Sequence, residues 1–285
     1  MERITSESNK KIKKIKKLMD NPRFRKKEGL FVVEGARIVN EAVKREAAVE
    51  IFIDESNNPL VYDLSGDIAL NKLNNCSAKA DSFRFDLNLI FVPVTAVSSN
   101  IFKELSNTIN SQGIIAICKS PENFDLSKFC VDNKKAPLLL LLDGIQDPGN
   151  LGTIVRSSLG ADVDGLVLSK NSVDMFNPKV LRSTMGAVFD LDYCYVDSLP
   201  EVIEILKNKG FNIYATLPEE SKAYYDFDYK LPTAIIIGNE ANGISEEVKK
   251  LDINHITIPM ANNLESLNAA VAASVVLYEV ARQRR

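Results

Sequence analysis

The sequence contains only one histidine, His255, among its 285 residues. A Ser-His-Asp or Cys-His hydrolase would have to be built on this residue, because both need an imidazole base. The run 253–258 around His255 has the apolar and β-branched character of a strand, which favours a structural or surface role. We therefore predict chemistry that uses no imidazole.

Cysteines and long apolar runs are also scarce. No cysteine belongs to a C-x-x-C pair and there is one histidine, so the pattern disfavours a Cys/His zinc site and favours a reduced, cytoplasmic setting. The longest apolar runs, such as residues 138–142, fall far short of the ~18 residues of a membrane span. The four cysteines are Cys76, Cys118, Cys130 and Cys194.

The length of the chain predicts two domains. Charge is distributed unevenly along it. The formal net charge is −3, yet residues 1–30 hold 11 Lys/Arg and only 4 Asp/Glu. The remainder is acidic, with 24 Lys/Arg and 34 Asp/Glu. An acidic body with a basic N-terminal arm indicates a polyanionic partner.

The arm contains a lysine-rich amphipathic helix over residues 10–19, ended by Asn21-Pro22. One interpretation is phosphate binding by the lysines and by the cations that follow, and we favour it slightly. The alternative is a solvated helix that packs one thin apolar edge on the domain. A membrane-surface helix fits less well, because the apolar face is narrow and has no Trp or Phe. The edge comprises Ile12, Ile15, Leu18 and Met19, and the following cations are Arg23, Arg25, Lys26 and Lys27.

Strand and helix signals alternate along both halves of the chain. In the first half we predict strands at 30–33, 49–53 and 114–118 and a helix at 36–46, which form a small α/β domain over 1–120. A polar linker follows over 121–136. In the second domain, 137–285, Asn177-Pro178 and Ser198-x-x-Glu201 are helix starts. Six strands separated by helices predict a mostly parallel sheet covered on both faces, with strands at 138–142, 165–168, 193–196, 212–216, 234–237 and 255–258.

Three loops rich in Gly, Asn and Pro follow strands of the second domain, over 143–157, 237–245 and 258–268. Ligands of such sheets bind beyond the carboxyl ends of the strands. Each polar residue also has an ordinary structural explanation: Asn150 and Ser266 could be helix N-caps, and Arg156 and Glu240 could face solvent. Neither a G-x-G-x-x-G nor a Walker loop is present. Three such loops together favour a site.

The segments DPGNLGTIVR (147–156), GNEANGIS (238–245) and IPM…ESLN (258–268) resemble the three motifs of SpoU/TrmH-type RNA 2′-O-ribose methyltransferases, in the same order. This resemblance covers residues ~138–283 and is highly specific. More loosely, FVVEG (31–35) and SQGI (111–114) resemble the substrate-binding domain that many of these enzymes carry.

The resemblance implies a SPOUT fold with a C-terminal trefoil knot, S-adenosylmethionine as the cofactor, no metal, and a homodimer packed through the knotted domains. Gly238, Ile258 and Leu267 would line the cofactor pocket, with Met260 nearby. The family's active-site positions fall on Asn150, Arg156, Glu240, Ser266 and Asn268.

Two positions depart from the family pattern. Asn262 stands where a glycine is usual, and Ala269-Ala270 stands where Val-Ser is frequent. Asparagine can adopt the left-handed conformation that a glycine would supply, so the departure at Asn262 does not imply a loss of activity.

A ribose hydroxyl is a weak nucleophile, so catalysis needs placement and charge stabilisation. We hypothesise that Arg156 bridges the 2′-oxygen and a neighbouring phosphate, that Ser266 and Asn268 orient the ribose, and that Glu240 holds the loops or Arg156. Ribosomal RNA is the favoured substrate and transfer RNA the alternative. A second class of function is a catalytically silent RNA-binding or ribosome-assembly protein, and a generic nucleotide binder ranks last.

Overall fold

The computed structural model describes residues 2–56, 60–62, 68–70, 84–85, 92–106, 111–121, 136–217, 221–262 and 264–285. The chain divides into two compact units. The first comprises Met1–Pro121 with Phe176–Phe189, and the second comprises Glu122–Met175 with Asp190–Arg285. Residues 122–135 of the predicted linker lie outside the described residues, as do Cys76 and Cys130.

The first unit is built on a five-stranded mixed sheet in the order β1-β7-β3-β8-β2. β7 lies parallel to β1 and β3, whereas β8 is antiparallel to both β3 and β2. Three short strands, β4 to β6, form a separate antiparallel sheet. The strands are β1 (Glu2–Ile4), β2 (Leu30–Glu34), β3 (Ala48–Asp54), β4 (Leu60–Tyr62), β5 (Ile68–Leu70), β6 (Arg84–Phe85), β7 (Val94–Val97) and β8 (Ile114–Lys119). The helices are α1 (Lys10–Asp20), α2 (Pro22–Glu28), α3 (Ala36–Lys44), α4 (Ser99–Leu105) and, from the later stretch, α6 (Pro178–Thr184).

The predicted basic helix is confirmed as α1, and all four apolar residues assigned to its edge are buried. Pro22 ends α1 as expected and also begins α2. Proline is tolerated in the first helical turn because a backbone N–H at that position has no partner within the helix. The side chain of Asn21 caps α2 by accepting the backbone N–H of Phe24 at 3.0 Å. The short strand β1 was not predicted, since three residues carry no periodic signal. It joins the arm to the sheet.

Arg25 corrects the expected phosphate-binding cluster. Its side chain is buried, with 4% exposure, and Nη1 donates to the carbonyl oxygens of Leu18 at 2.6 Å and Met19 at 2.8 Å. These carbonyls belong to the last turn of α1, where a helix lacks internal donors. Arg25 therefore stabilises the turn between α1 and α2 and is not part of a solvent-facing cationic surface.

Residues 176–189 pack within the first unit, although the sequence-based boundary assigned them to the second domain. The ring of Phe176 stacks on Phe31 with centroids 4.1 Å apart. Asn177 caps α6 as predicted, with Pro178 in the first turn. The apolar pattern of a seven-residue helix predicts that one face is buried but does not identify the surface that buries it.

The second unit contains a seven-stranded sheet in the order β11-β10-β9-β14-β12-β15-β13, in which every pair is parallel. The six predicted strands are confirmed, and the two-residue β13 was missed. The strands are β9 (Leu138–Asp143), β10 (Gly165–Ser169), β11 (Tyr193–Val196), β12 (Asn212–Thr216), β13 (Lys222–Ala223), β14 (Thr233–Gly238) and β15 (Asn254–Thr257). The helices are α5 (Pro148–Gly160), α7 (Leu199–Asn208), α8 (Glu246–Lys249) and α9 (Ala269–Arg284).

The central strands β9 and β14 are apolar and buried, as expected of strands covered on both faces. Ser198 caps α7 by accepting the backbone N–H of Glu201 at 3.3 Å, as the capping pattern predicts. Parallel pairing places the carboxyl ends of β9, β14 and β15 at one edge of the sheet. The three motif loops begin at this edge. Within the described ranges, every helix is too short or too polar to cross a membrane.

Candidate active site

Glu240 connects the loop after β14 to the loop after β9. Its carboxylate accepts hydrogen bonds from the backbone N–H groups of Gln146 at 3.1 Å and Asp147 at 3.0 Å, and from Nδ2 of Asn150 at 2.9 Å. Partial burial raises the pKa of Glu240, but the hydrogen bonds from Asn150 and the backbone outweigh it and hold the pKa below its ordinary value. Glu240 is therefore ionised and holds the first loop through these hydrogen bonds.

Asn150 and Asn268 join the first loop to the third. Nδ2 of Asn268 donates to Oδ1 of Asn150 at 2.9 Å, and Oδ1 of Asn268 accepts the backbone N–H of Ala270 at 2.9 Å. Asn268 is thus the N-cap of α9, and the suggestion that Ser266 caps this helix is wrong. Asp147 caps α5 by accepting the backbone N–H of Asn150, so Asn150 is not an N-cap either.

Two further residues hold the second loop, and the sequence reasoning missed both. Nδ2 of Asn239 donates to the carbonyl oxygen of Gly144 at 2.7 Å, while its Oδ1 accepts the N–H groups of Ala241 and Asn242. The Asp143 side chain accepts the N–H of Ser245 at 2.8 Å. Asp143 and Asn239 are each the first polar side chain after the apolar residues of a strand. That position is the sequence signal from which both could have been identified.

Arg156 and Ser266 stand apart from this hydrogen-bonded set. Arg156 lies on the exposed side of α5 and forms no hydrogen bond or ion pair with the residues that the structure describes. The suggested link between Glu240 and Arg156 is not formed, because Glu240 binds the first loop instead. Ser266 is also exposed, and its hydroxyl has no hydrogen-bond partner in the described part of the chain. Both side chains are accessible from solvent.

Gly238 is required by the protein's own backbone. A Cβ atom at this position would lie 2.3 Å from the carbonyl carbon of Gly243 and 2.4 Å from the nitrogen of Ile244. Asn239 and Gly243 also exchange backbone hydrogen bonds of 2.8 and 2.9 Å, which close the loop tightly. The loop therefore folds back over Gly238, which gives the absence of a side chain at this position a structural reason. That Gly238 lines the cofactor pocket stays a prediction.

The third loop combines partly buried apolar side chains with an unpaired backbone. Ile258, Met260 and Leu267 are half-buried, so each keeps apolar surface in contact with solvent. Between Met260 and Leu267 one backbone hydrogen bond joins described residues, from the N–H of Leu264 to the carbonyl of Ala261. Asn262 has φ 57°, so it adopts the left-handed conformation that asparagine tolerates. The described residues of the loop thus offer N–H and carbonyl groups without a backbone partner beside apolar side chains.

The remaining candidate groups are structural. His255 lies in β15 as predicted, and its buried Nε2 has no hydrogen-bond partner among the described residues. Cys118 and Cys194 are free and buried, and burial raises the pKa of the Cys194 thiol to about 11. No cluster of metal-ligating side chains occurs in the described portion of the chain.

Known proteins share both the sequence motifs and the fold. Residues 137–278 match the model of the SpoU rRNA Methylase family, and residues 9–116 match the MRM3-like substrate binding domain. The 23S rRNA (guanosine(2553)-2′-O)-methyltransferase RlmP of Bacillus subtilis is 31% identical over 98% of this chain and 99% of RlmP. An uncharacterized tRNA/rRNA methyltransferase of Synechocystis is 30% identical over 99% of this chain and 94% of its own length.

A solved structure shows the same likeness along nearly the whole chain. The SpoU methyltransferase AviRb from Streptomyces viridochromogenes, crystallised in complex with the cofactor AdoMet, superposes with a TM-score of 0.77. The sequences are 26% identical, and the match covers 97% of this chain and 99% of AviRb.

Proposed function

Because the chain belongs to the SpoU rRNA methylase family, we propose that it transfers a methyl group from S-adenosylmethionine to a ribose 2′-hydroxyl of RNA. Ribosomal RNA is the favoured substrate, since RlmP is named for 23S rRNA and aligns over nearly its whole length. Transfer RNA is the alternative substrate. The observation that carries the proposal is the hydrogen-bonded set of Glu240, Asn150 and Asn268, which joins the three motif loops.

The residues present fit the cofactor. An adenine ring needs apolar surface and hydrogen-bonding partners, and the third loop offers both. The side chains of Ile258, Met260 and Leu267 are half-buried, and the described residues of the loop share one backbone hydrogen bond between Met260 and Leu267. We assign these three residues to the cofactor pocket, together with the loop that Gly238 allows to close. S-adenosylmethionine supplies a methyl group made electrophilic by its sulfonium.

The chain's own contribution is to activate and position the hydroxyl. Arg156 is a permanent cation without an internal partner among the described residues, so its guanidinium is available to the substrate. It bridges the 2′-oxygen and an adjacent phosphate and stabilises the negative charge that develops on the oxygen. The hydroxyl proton leaves to water or to the phosphate, because a guanidinium that is already protonated cannot accept it.

The other assigned residues divide between support and substrate contact. Asn150 uses Nδ2 for Glu240 and Oδ1 for Asn268, so it positions the loops. Asn268 uses its side chain to cap α9 and to hold Asn150, and we assign it to positioning as well. Ser266 has an exposed hydroxyl near this set in sequence, and it orients the ribose.

The decisive experiment combines cofactor binding with mapping of the modification. Isothermal titration of S-adenosylmethionine and transfer of tritiated methyl to ribosomal RNA from a deletion strain should both be positive, with one new 2′-O-methyl position. Methylation of transfer RNA alone would show that transfer RNA, and not ribosomal RNA, is the substrate. A folded protein that binds RNA but neither binds the cofactor nor transfers methyl groups would support the silent RNA-binding alternative.

We extend the proposal to assembly, topology and location. Leu159 of α5 and Val271 and Tyr278 of α9 are exposed, and these two helices pack against each other, so they present apolar surface suited to a second copy of the chain. Sedimentation should therefore give twice the mass of 31.6 kDa. The resemblance supports a trefoil knot in the segment leading to α9. The absence of a C-x-x-C pair from the sequence supports a cytoplasmic location.

A further inference from the structure

We infer that Lys10, Lys13 and Lys17 form a ridge on α1 that binds RNA phosphates, whereas Lys11, Lys14 and Lys16 on its flanks serve the protein's own fold. The inference rests on the proposed RNA substrate and identifies where the first unit meets it.

The two sets of lysines differ in exposure. Lys10, Lys13 and Lys17 are exposed, whereas the three flanking lysines are half-buried. The helical repeat explains the difference: the ridge lies on the side of α1 opposite to Ile12, Ile15 and Leu18, which are all fully buried, while the flanking lysines lie at the borders of that buried face.

The flanking lysines are all paired with carboxylates of the same unit. Nζ of Lys11 lies 2.5 Å from Glu2 and 2.6 Å from Glu50. Lys16 pairs with Glu104 of α4 at 2.9 Å, and Lys14 lies 3.8 Å from Glu28 of α2. These contacts fasten α1 to β1, β3, α2 and α4, so a substantial part of the arm's positive charge is neutralised within the protein.

The ridge has no such partners. In the described parts of the chain, no carboxylate lies within 4 Å of the Nζ atoms of Lys10, Lys13 or Lys17, and Nζ of Lys17 lies 5.7 Å from the centroid of the Phe24 ring. The ridge residues repeat at intervals of three and four, so the ridge extends about 10 Å along the axis. Three exposed ammonium groups can each meet one phosphate, so the ridge can make up to three phosphate contacts.

The same division recurs in α2. Arg25 is buried on the carbonyls of α1, while Arg23, Lys26 and Lys27 are exposed and have no ion-pair partner among the described residues. Some cations of the arm therefore stabilise its fold, while others lie on the surface without an ion-pair partner among the described residues. An RNA backbone suits this surface because a row of isolated cations complements a row of phosphates without any apolar contact.

Two triple variants of equal charge test the inference. Lys10→Gln/Lys13→Gln/Lys17→Gln removes the ridge, and Lys11→Gln/Lys14→Gln/Lys16→Gln removes the flanks; both lower the net charge by three. The probe is a fluorescent 20-nucleotide oligouridine, with affinity measured between 50 and 200 mM salt. Loss of three contacts should lower the slope of log affinity against log salt by about 2, at about 0.7 per phosphate. Over that range the wild type should lose roughly 20-fold more affinity than the ridge variant.

The flank variant is the control. It should melt at a lower temperature, whereas the ridge variant melts like the wild type. Its slope of log affinity against log salt should fall by no more than half as much as the slope of the ridge variant. An unchanged slope in the ridge variant would overturn the inference, and so would equal losses in both variants, since they would report total charge instead of position. Methyl transfer measured on the wild type separates the two proposals: its absence contradicts the enzyme assignment, whereas the oligouridine slopes decide the ridge by themselves.

Discussion

Asn268 donates a hydrogen bond of 2.9 Å to Asn150, a residue 118 positions earlier in the chain. The same Asn268 side chain caps α9, so a single residue sets the start of one helix and holds the first turn of another. Since Asn150 also binds Glu240, side-chain hydrogen bonds link all three motif loops.

Asn268→Asp separates these two roles. Aspartate caps a helix as well as asparagine does, but it has no N–H to donate to Asn150. We expect methyl transfer to fall by about 10-fold to 100-fold through misplaced loops, with little loss of stability. Asn268→Ala loses the cap as well and should cost about 0.5–2 kcal/mol of unfolding free energy. Chemical denaturation and single-turnover transfer measure the two effects, and full activity in Asn268→Asp would show that the Asn150 contact is dispensable.

Arg156→Ala should lower kcat by about 10²–10³, because the guanidinium is proposed to stabilise charge only in the transition state. Arg156→Lys should restore little, since an ammonium lacks the planar fork that bridges two oxygens. Cofactor affinity and melting temperature should stay near wild type, because Arg156 has no contact to lose among the described residues. Single-turnover methyl transfer at saturating cofactor is the assay. A rate within about threefold of wild type would remove Arg156 from the mechanism.

Gly238→Ala should destabilise the protein even without cofactor. The added Cβ would meet backbone atoms of Gly243 and Ile244 at 2.3–2.4 Å, and backbone cannot move aside cheaply. We expect a lower melting temperature of the cofactor-free protein together with weaker S-adenosylmethionine binding. Wild-type melting with selective loss of cofactor affinity would instead show that Gly238 serves the cofactor pocket and not the packing of the loop.

The Glu240 carboxylate should act as a fixed anion and not as a proton acceptor. Hydrogen bonds from Asn150 and the backbone hold its pKa below the ordinary value despite partial burial. Its stabilising contribution is therefore present above the unfolded glutamate pKa of about 4.3 and is lost as the pH falls through the lower native value. The difference in unfolding free energy between wild type and Glu240→Gln should be constant from about pH 6 to 8 and shrink below about pH 4. Glu247→Gln, at an exposed position of α8, is the charge-matched control and should leave the unfolding free energy nearly unchanged at pH 7.

Arg284 should be needed to hold the end of α9. Its guanidinium donates to the carbonyl oxygens of Tyr229 at 2.8 Å, Ala136 at 2.7 Å and Leu231 at 2.8 Å. Arg284→Ala removes all three bonds and should cost about 2–4 kcal/mol of unfolding free energy. The neighbouring exposed Arg285 provides the matched control, and Arg285→Ala should change stability by less than about 0.5 kcal/mol. Equal effects of both substitutions in urea denaturation would contradict this role.

The sequence predicted the second sheet well because buried parallel strands are continuous apolar runs, and residues 138–142 and 234–237 are clear examples. It also placed the three loops at one edge, since parallel strands align their carboxyl ends. It failed for the helix caps at Asp147 and Asn268, because several polar residues precede each helix and only tertiary contacts decide which of them caps it.

Side-chain partners were the least predictable part of the site. Glu240 binds backbone N–H groups more than 90 positions away, and no local pattern specifies such a partner. Arg25 shows the same limit, because a basic run in the sequence does not distinguish a buried arginine from exposed ones. The left-handed backbone of Asn262 agrees with the tolerance of asparagine for this conformation, which the sequence showed to be possible but did not require.

The packing of Phe176 on Phe31 has an evolutionary consequence. The chain enters the second unit after Pro121, returns to the first for Phe176–Phe189, and then leaves it again. A recombination that replaced only the N-terminal part of the gene would separate these two rings and leave α6 against a foreign surface. A viable exchange must bring in both stretches at once, so the two units should be inherited as a matched pair and not shuffled as independent modules.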